Sequence, residues 1–144
     1  MRNHLIWIPA SIIIFATAII KPASEMMRPA KVVNKTISFD MFKAKSYKSG
    51  IYDYTTAQVF IVVEKVSNKK RTIVWQKAFD AQLLKQYPSV NQAKSEQITV
   101  HGILDNKEHL EVNYILTYDT KGSMFQLQSG IFSVDANDTV KISI

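Results

Sequence analysis

The chain contains no cysteine. That excludes disulfides, thiolate metal ligands, cysteine nucleophiles and a lipid-modified N-terminal cysteine. Only four glycines and four prolines occur, and the glycines stand apart from one another. No glycine-rich loop able to cradle a phosphate is therefore present. Serines are plentiful, yet none lies in a Gly-x-Ser-x-Gly setting, and the Ser-x-x-Lys spacing at Ser67-Asn68-Lys69-Lys70 reads as a turn. Ser46-Tyr47-Lys48-Ser49-Gly50 has the composition of a loop rather than of a nucleophile turn. Asp135-Ala136-Asn137-Asp138 begins with calcium-like spacing but lacks the glycine and distal glutamate of an EF-hand, and reads as a turn. No internal repeat or low-complexity tract is evident. No cofactor is implied.

One long apolar run exists, at the N-terminus. Arg2 precedes an uncharged stretch from Leu5 to Ile20, and Ala16-Thr17-Ala18 lies near its end. A basic start, an apolar centre and a small-x-small triplet are what export machinery and signal peptidase read. As a helix the run would rise about 24 Å, short of the roughly 30 Å hydrocarbon core, and Pro9 interrupts its first half. The expectation is a signal peptide over residues 1–18. The alternative is an uncleaved anchor reaching Ile20 and closed by Lys21, which would make this a membrane-anchored accessory protein. Either places the protein outside the cytosol, in a bacterial periplasm or the extracellular space. A Cys-free domain of this size suits a bacterial envelope better than a eukaryotic secretory route. For the same reason the acceptor-like triplets Asn34-Lys35-Thr36 and Asn137-Asp138-Thr139 carry no weight.

The chain is basic overall, with a formal charge of +6. The excess is uneven: residues 19–94 hold fourteen Lys or Arg against five Asp or Glu, whereas residues 95–144 are net acidic. Because the bases are scattered, they read as solvated faces and guarded strand edges rather than as a patch for an anionic polymer. An exported protein also has little access to nucleic acid, so no nucleic-acid partner is expected.

Residues 19–31, with Pro22 and Pro29, form a linker without periodicity. From residue 32 to 144 a period-2 pattern takes over. Strands are expected over Val32–Phe42, Ala57–Val66, Arg71–Phe79, Gln97–Leu104, Glu108–Asp119, Met124–Val134 and Thr139–Ile144. Ile37, Phe39 and Met41 share one face of the first. The second is apolar on both faces and should be central or covered. Trp75 and Phe79 are core candidates in the third. Asp80 is placed to cap a short helix over Ala81–Tyr87, packed through Leu83, Leu84 and Tyr87 and stopped by Pro88. Phe125, Leu127 and Ile131 should point inward, with Gly130 marking a bulge. Val140, Ile142 and Ile144 should line one side of the last strand. Seven strands at about ten-residue spacing with one short helix predict an all-β, antiparallel β-sandwich, with a small barrel as the alternative.

Two constellations remain. His101 and His109 flank the turn Asp105-Asn106-Lys107. If the flanking strands form a hairpin, their apolar faces coincide only when residue 100 pairs with residue 112. His101 then lies opposite Glu111, and His101, His109 and Glu111 share the solvent side. That set could stabilise a sheet surface as ordinary charged pairs, or hold zinc for a metal-binding protein or metal-dependent hydrolase. The second constellation is the loop between the first two strands. Tyr47, Tyr52 and Tyr54 fall within eight residues, beside Lys45 and Lys48. Tyrosine offers a rigid amphipathic contact surface, and loops at sandwich ends commonly carry recognition. The expectation is a non-catalytic protein that binds a protein or glycan, or a structural part of an envelope assembly. Oligomerisation through strand exchange remains open. A membrane partner is expected only if the N-terminal segment stays attached.

Overall fold

A computed structural model describes residues 29–144; the expected export segment and most of the linker lie outside these residues. The described chain folds into an all-β sandwich of two sheets. Its strands are β1 (Val32–Phe42), β2 (Thr55–Ser67), β3 (Lys70–Ala78), β4 (Gln82–Leu83), β5 (Lys94–Leu104), β6 (Glu108–Thr120), β7 (Ser123–Gln128), β8 (Phe132–Val134) and β9 (Asp138–Ser143). The smaller sheet has the order β5-β1-β9. The larger runs β3-β2-β6-β7, with β4 beside β2 and β8 beside β6.

Alternation decides which faces meet. Along β1, Ile37, Phe39 and Met41 are buried while their neighbours stay partly exposed. Along β2, Ala57, Val59, Ile61 and Val63 are fully buried, and this strand is central, as its apolar content requires. Leu110, Val112 and Leu116 of β6 join them. Phe39 stacks on Trp75 of β3 at 5.6 Å, tying the two sheets together. Phe79 is buried as expected. The turns at 68–69 and 121–122 have positive φ at both central residues, the type I′ geometry that joins twisted antiparallel strands through two residues.

The structure departs from the sequence expectation in four places. The segment after Asp80 is not helical. Gln82 and Leu83 pair with Thr56 and Ala57 of β2, and a 3₁₀ turn follows over Leu84–Gln86. β3 reaches only to Phe60 of β2, so the ladder positions beyond it take the next piece of chain. A seven-residue helix would also be marginal by itself. Leu84 and Tyr87 are buried nonetheless, Tyr87 by donating its hydroxyl hydrogen to the Ala57 carbonyl at 2.9 Å.

The second departure is larger. β5 and β6 do not form a hairpin. β5 pairs with β1, and β6 pairs with β2 along its whole length, so the chain crosses between sheets at Asp105-Asn106-Lys107. The corner is fixed by the Asp105 N–H donating to the Lys31 carbonyl at 3.0 Å and the Leu104 N–H donating to Glu108 Oε2 at 2.9 Å. That backbone bond, helped by Lys65, holds the Glu108 carboxyl below its ordinary pKa.

Third, the expected strand Met124–Val134 is broken into β7 and β8. Ser129 makes the break: its N–H donates to the Tyr114 carbonyl at 2.9 Å and its Oγ accepts from the Tyr114 N–H at 2.8 Å. Fourth, β9 runs parallel to β1, with Phe39 beside Val140 and Met41 beside Ile142, so one pairing in the sandwich is not antiparallel. Its apolar row Val140, Ile142 and Ile144 is buried as expected.

Candidate functional site

Unequal sheet width creates the site. The smaller sheet stops at β9, while the larger continues from β6 to β7. Phe125 pairs with Tyr118 and Leu127 with Leu116. Cross-strand partners share a face, and Leu116 is buried, so Phe125 and Leu127 point toward the core side as the sequence indicated. They nevertheless stay 59% and 47% exposed, because no strand of the smaller sheet lies over them. Ile131, expected inward, is also exposed, in the break between β7 and β8.

The loop between β1 and β2 closes one end of this uncovered strip. Its anchor is Tyr47, whose hydroxyl donates to the Ile144 carbonyl at 2.7 Å; the Ala44 N–H donates to the same oxygen. A 3₁₀ turn at Gly50–Tyr52 brings Tyr52 edge-on to Tyr47, with ring centroids 4.9 Å apart. Lys45 Nζ lies 5.7 Å from both rings. Burial raises the Tyr47 phenol pKa, partly offset by Lys45. Burial likewise raises that of Tyr118. Thr55 and Thr120 hydroxyls satisfy each other at 2.8 Å.

The result is an open cleft of about 530 Å³ lined by Tyr47, Tyr52, Tyr118, Phe125, Leu127 and Ile51, with Leu84, Lys45, Thr55 and Thr120 also in its wall. Among the described residues, Lys45 is the one Lys, Arg, Asp or Glu in the lining. A second groove of about 460 Å³ continues on the same face of β6, between β8 and β9, past Tyr114, Phe132 and Val140.

Of the tyrosine-loop residues picked from sequence, Tyr47, Tyr52 and Lys45 come together in the cleft. Tyr54 and Lys48 do not line it. Tyr54 is exposed beneath Lys121, whose Nζ lies 4.4 Å from its ring. Sequence reasoning missed Phe125, Leu127, Tyr118 and Ile51 as site residues. The alternation of Tyr118, Phe125 and Leu127 was visible, and Ile51 stands within the tyrosine loop; the absence of a covering strand was not visible.

The His101, His109 and Glu111 set does not assemble as the hairpin register implied. His101 is on β5 in one sheet, and His109 and Glu111 are on β6 in the other. His109 Nε2 lies 3.2 Å from Glu111 Oε1, and Arg71 Nη2 lies 2.7 Å from Glu111 Oε2. Among the described residues no group of three His, Asp or Glu side chains is placed to hold a metal ion. What stands at this position is a surface ion-pair cluster that also joins Arg71 to Glu64.

Among the described residues no helix is long and apolar enough to cross a membrane. No known family, curated protein or solved structure matches the chain.

Proposed function

We propose that this protein is an exported, non-catalytic binding protein whose cleft takes an extended, mainly apolar protein segment carrying an acidic residue. The observation that carries this reading is the pair Phe125 and Leu127, which stands beside half-buried Tyr118, faces the core side of the larger sheet and is left uncovered. An uncovered apolar row rimmed by a polar surface marks an interaction site. Side chains alternating along a bound strand would meet such a row at matching spacing. The floor is ring and aliphatic carbon, and the two lining threonines already bond each other. A glycan would want polar side chains aimed inward, so a protein segment fits better. Lys45 supplies charge complementarity to an acidic residue. Export is supported by Arg2, the run Leu5–Ile20 and Ala16-Thr17-Ala18.

The test is selection from a displayed library of random dodecapeptides, with a glycan array run in parallel. Selected peptides should alternate apolar residues around an acidic position. Ile51→Asp and Tyr52→Ala should each weaken their capture at least tenfold, Ile51→Asp with little change in melting temperature, since Ile51 is 69% exposed. Tyr54→Ala, outside the cleft, should leave capture intact. Tyr47 is unsuitable as a probe because its hydroxyl holds the Ile144 carbonyl. Capture unaffected by Ile51→Asp and Tyr52→Ala would sink the proposal, and enrichment on the glycan array alone would replace it.

A further inference from the structure

Among the described residues the sandwich has four outer edges, and three of them are guarded. β3 carries Lys70, Arg71 and Lys77 and a register shift opposite Val63 and Glu64. β5 carries Lys94 and Glu96 and a register shift near Gly102, whose φ is +73°. β9 carries Asp138 and Lys141. Charges and bulges of this kind block edge-to-edge pairing. The fourth edge carries no charge, and β7 itself has no register shift. From Gly122 to Val134, spanning β7 and β8, there is no Asp, Glu, Lys, Arg, His or Pro. Among the described residues, five of the ten large apolar side chains that stay exposed, Met124, Phe125, Leu127, Ile131 and Phe132, fall in this stretch.

We propose that β7 is the homodimer interface: two copies pair β7 to β7, antiparallel, and join the larger sheets into one. The occupant is a second copy because a two-fold axis sets each strand against itself. A charged β7 would face its own charge across that axis, whereas Ser-Met-Phe-Gln-Leu-Gln meets no such penalty.

Register follows from the backbone. In a two-residue hairpin the residues flanking the turn, Thr120 and Ser123, form a hydrogen-bonded pair, so Ser123, Phe125 and Leu127 spend their N–H and C=O groups on β6. The Ser129 N–H bond to Tyr114 continues that parity. Met124, Gln126 and Gln128 therefore present their backbone groups to the free edge. All three find partners when Gln126 sits on the two-fold and Met124 meets Gln128 of the other copy. Phe125 then lies opposite Leu127 of the other copy, in the closer, non-hydrogen-bonded type of pair, on the cleft side. Each cleft floor extends into its neighbour, and both remain open. This inference stands apart from the peptide reading, since it uses the edge of β7 rather than ligand capture.

A Cys-free chain allows a direct test. Gln126→Cys places one thiol in the full-length protein, and a short thiol-to-thiol reagent that fluoresces only on bridging, dibromobimane, is added to whichever fraction the protein occupies. Gln126→Cys should give a bridged dimer, and Gln76→Cys on the β3 edge should not. Sedimentation of the full chain should show dimers at about 100 μM, as expected for a small interface. Gln126→Lys, which sets two like charges on the axis, should return it to monomer with its far-ultraviolet circular dichroism unchanged. Equal bridging at positions 76 and 126, a monomer at that concentration, or a dimer that survives Gln126→Lys would each overturn the proposal.

Discussion

Tyr87 shows what burying one polar side chain does to the chemistry of the chain. It is almost wholly buried, with its hydroxyl on the Ala57 carbonyl. Burial pushes its pKa up to about 12, with the nearby Tyr118 adding to the shift. The native state thus keeps a proton that the unfolded chain releases near pH 10. Stability is whole below about pH 10 and is lost as pH rises toward 12, by on the order of 2 kcal/mol from this group. Tyr47 and Tyr118, shifted the same way, add to the loss. The expected result is an alkaline unfolding limb in a chemical-denaturation series run from pH 8 to 12. Tyr87→Phe should flatten that limb while costing roughly 1–2 kcal/mol at neutral pH, because the Ala57 carbonyl loses its donor. A limb of unchanged steepness in the variant would contradict this account.

At the scale of elements, β6 and β7 separate what alternation can and cannot tell. Leu116 and Leu127 are cross-strand partners on one face, yet Leu116 is buried and Leu127 is half exposed. Leu116→Ala should therefore cost about 2–5 kcal/mol and Leu127→Ala under about 1 kcal/mol, measured by urea denaturation at low protein concentration. Equal losses would mean that β7 is covered after all. The sequence made the face of each residue legible here, since the period of two fixes it once a strand is assigned. Coverage depends on which strands the opposite sheet contains, and no local pattern encodes that. The segment Ala81–Tyr87 makes the same point from another side. Its apolar spacing at Leu83, Leu84 and Tyr87 fits a helix, but two unpaired ladder positions on β2 draw it into an extended bridge and a 3₁₀ turn.

Over the whole molecule, connectivity between sheets decided the fate of the histidines. The expected hairpin rested on a short turn and coincident apolar faces, both local criteria. β5 and β6 each have a longer-range partner of matching pattern, β1 and β2, and the link between them became a crossing from one sheet to the other. His101 is thereby separated from the His109–Glu111 pair. Added zinc should not raise the melting temperature of untagged protein, and Glu111→Gln should change the response to zinc no more than it changes stability without it. A zinc-dependent rise abolished by Glu111→Gln would show that a site forms in spite of this topology.

The sequence by itself determined the long strands and their inward faces, because side-chain alternation is a property of each segment alone; it did not place the short strands β4 and β8. Val32–Phe42 came out residue for residue, and Ile37, Phe39 and Met41 are buried as their spacing demands. Tyr47 and Tyr52 were legible as a cluster because they are close in the chain. Only the tertiary structure decided which strands are neighbours, that β9 lies parallel to β1, and that β7 reaches past the smaller sheet. Those outcomes turn on competition among partners far apart in sequence, where the free energy of burying one face against another outweighs the preference of any single turn. The cleft exists because that competition leaves three strands facing a wider sheet, and Phe125 and Leu127 without a cover.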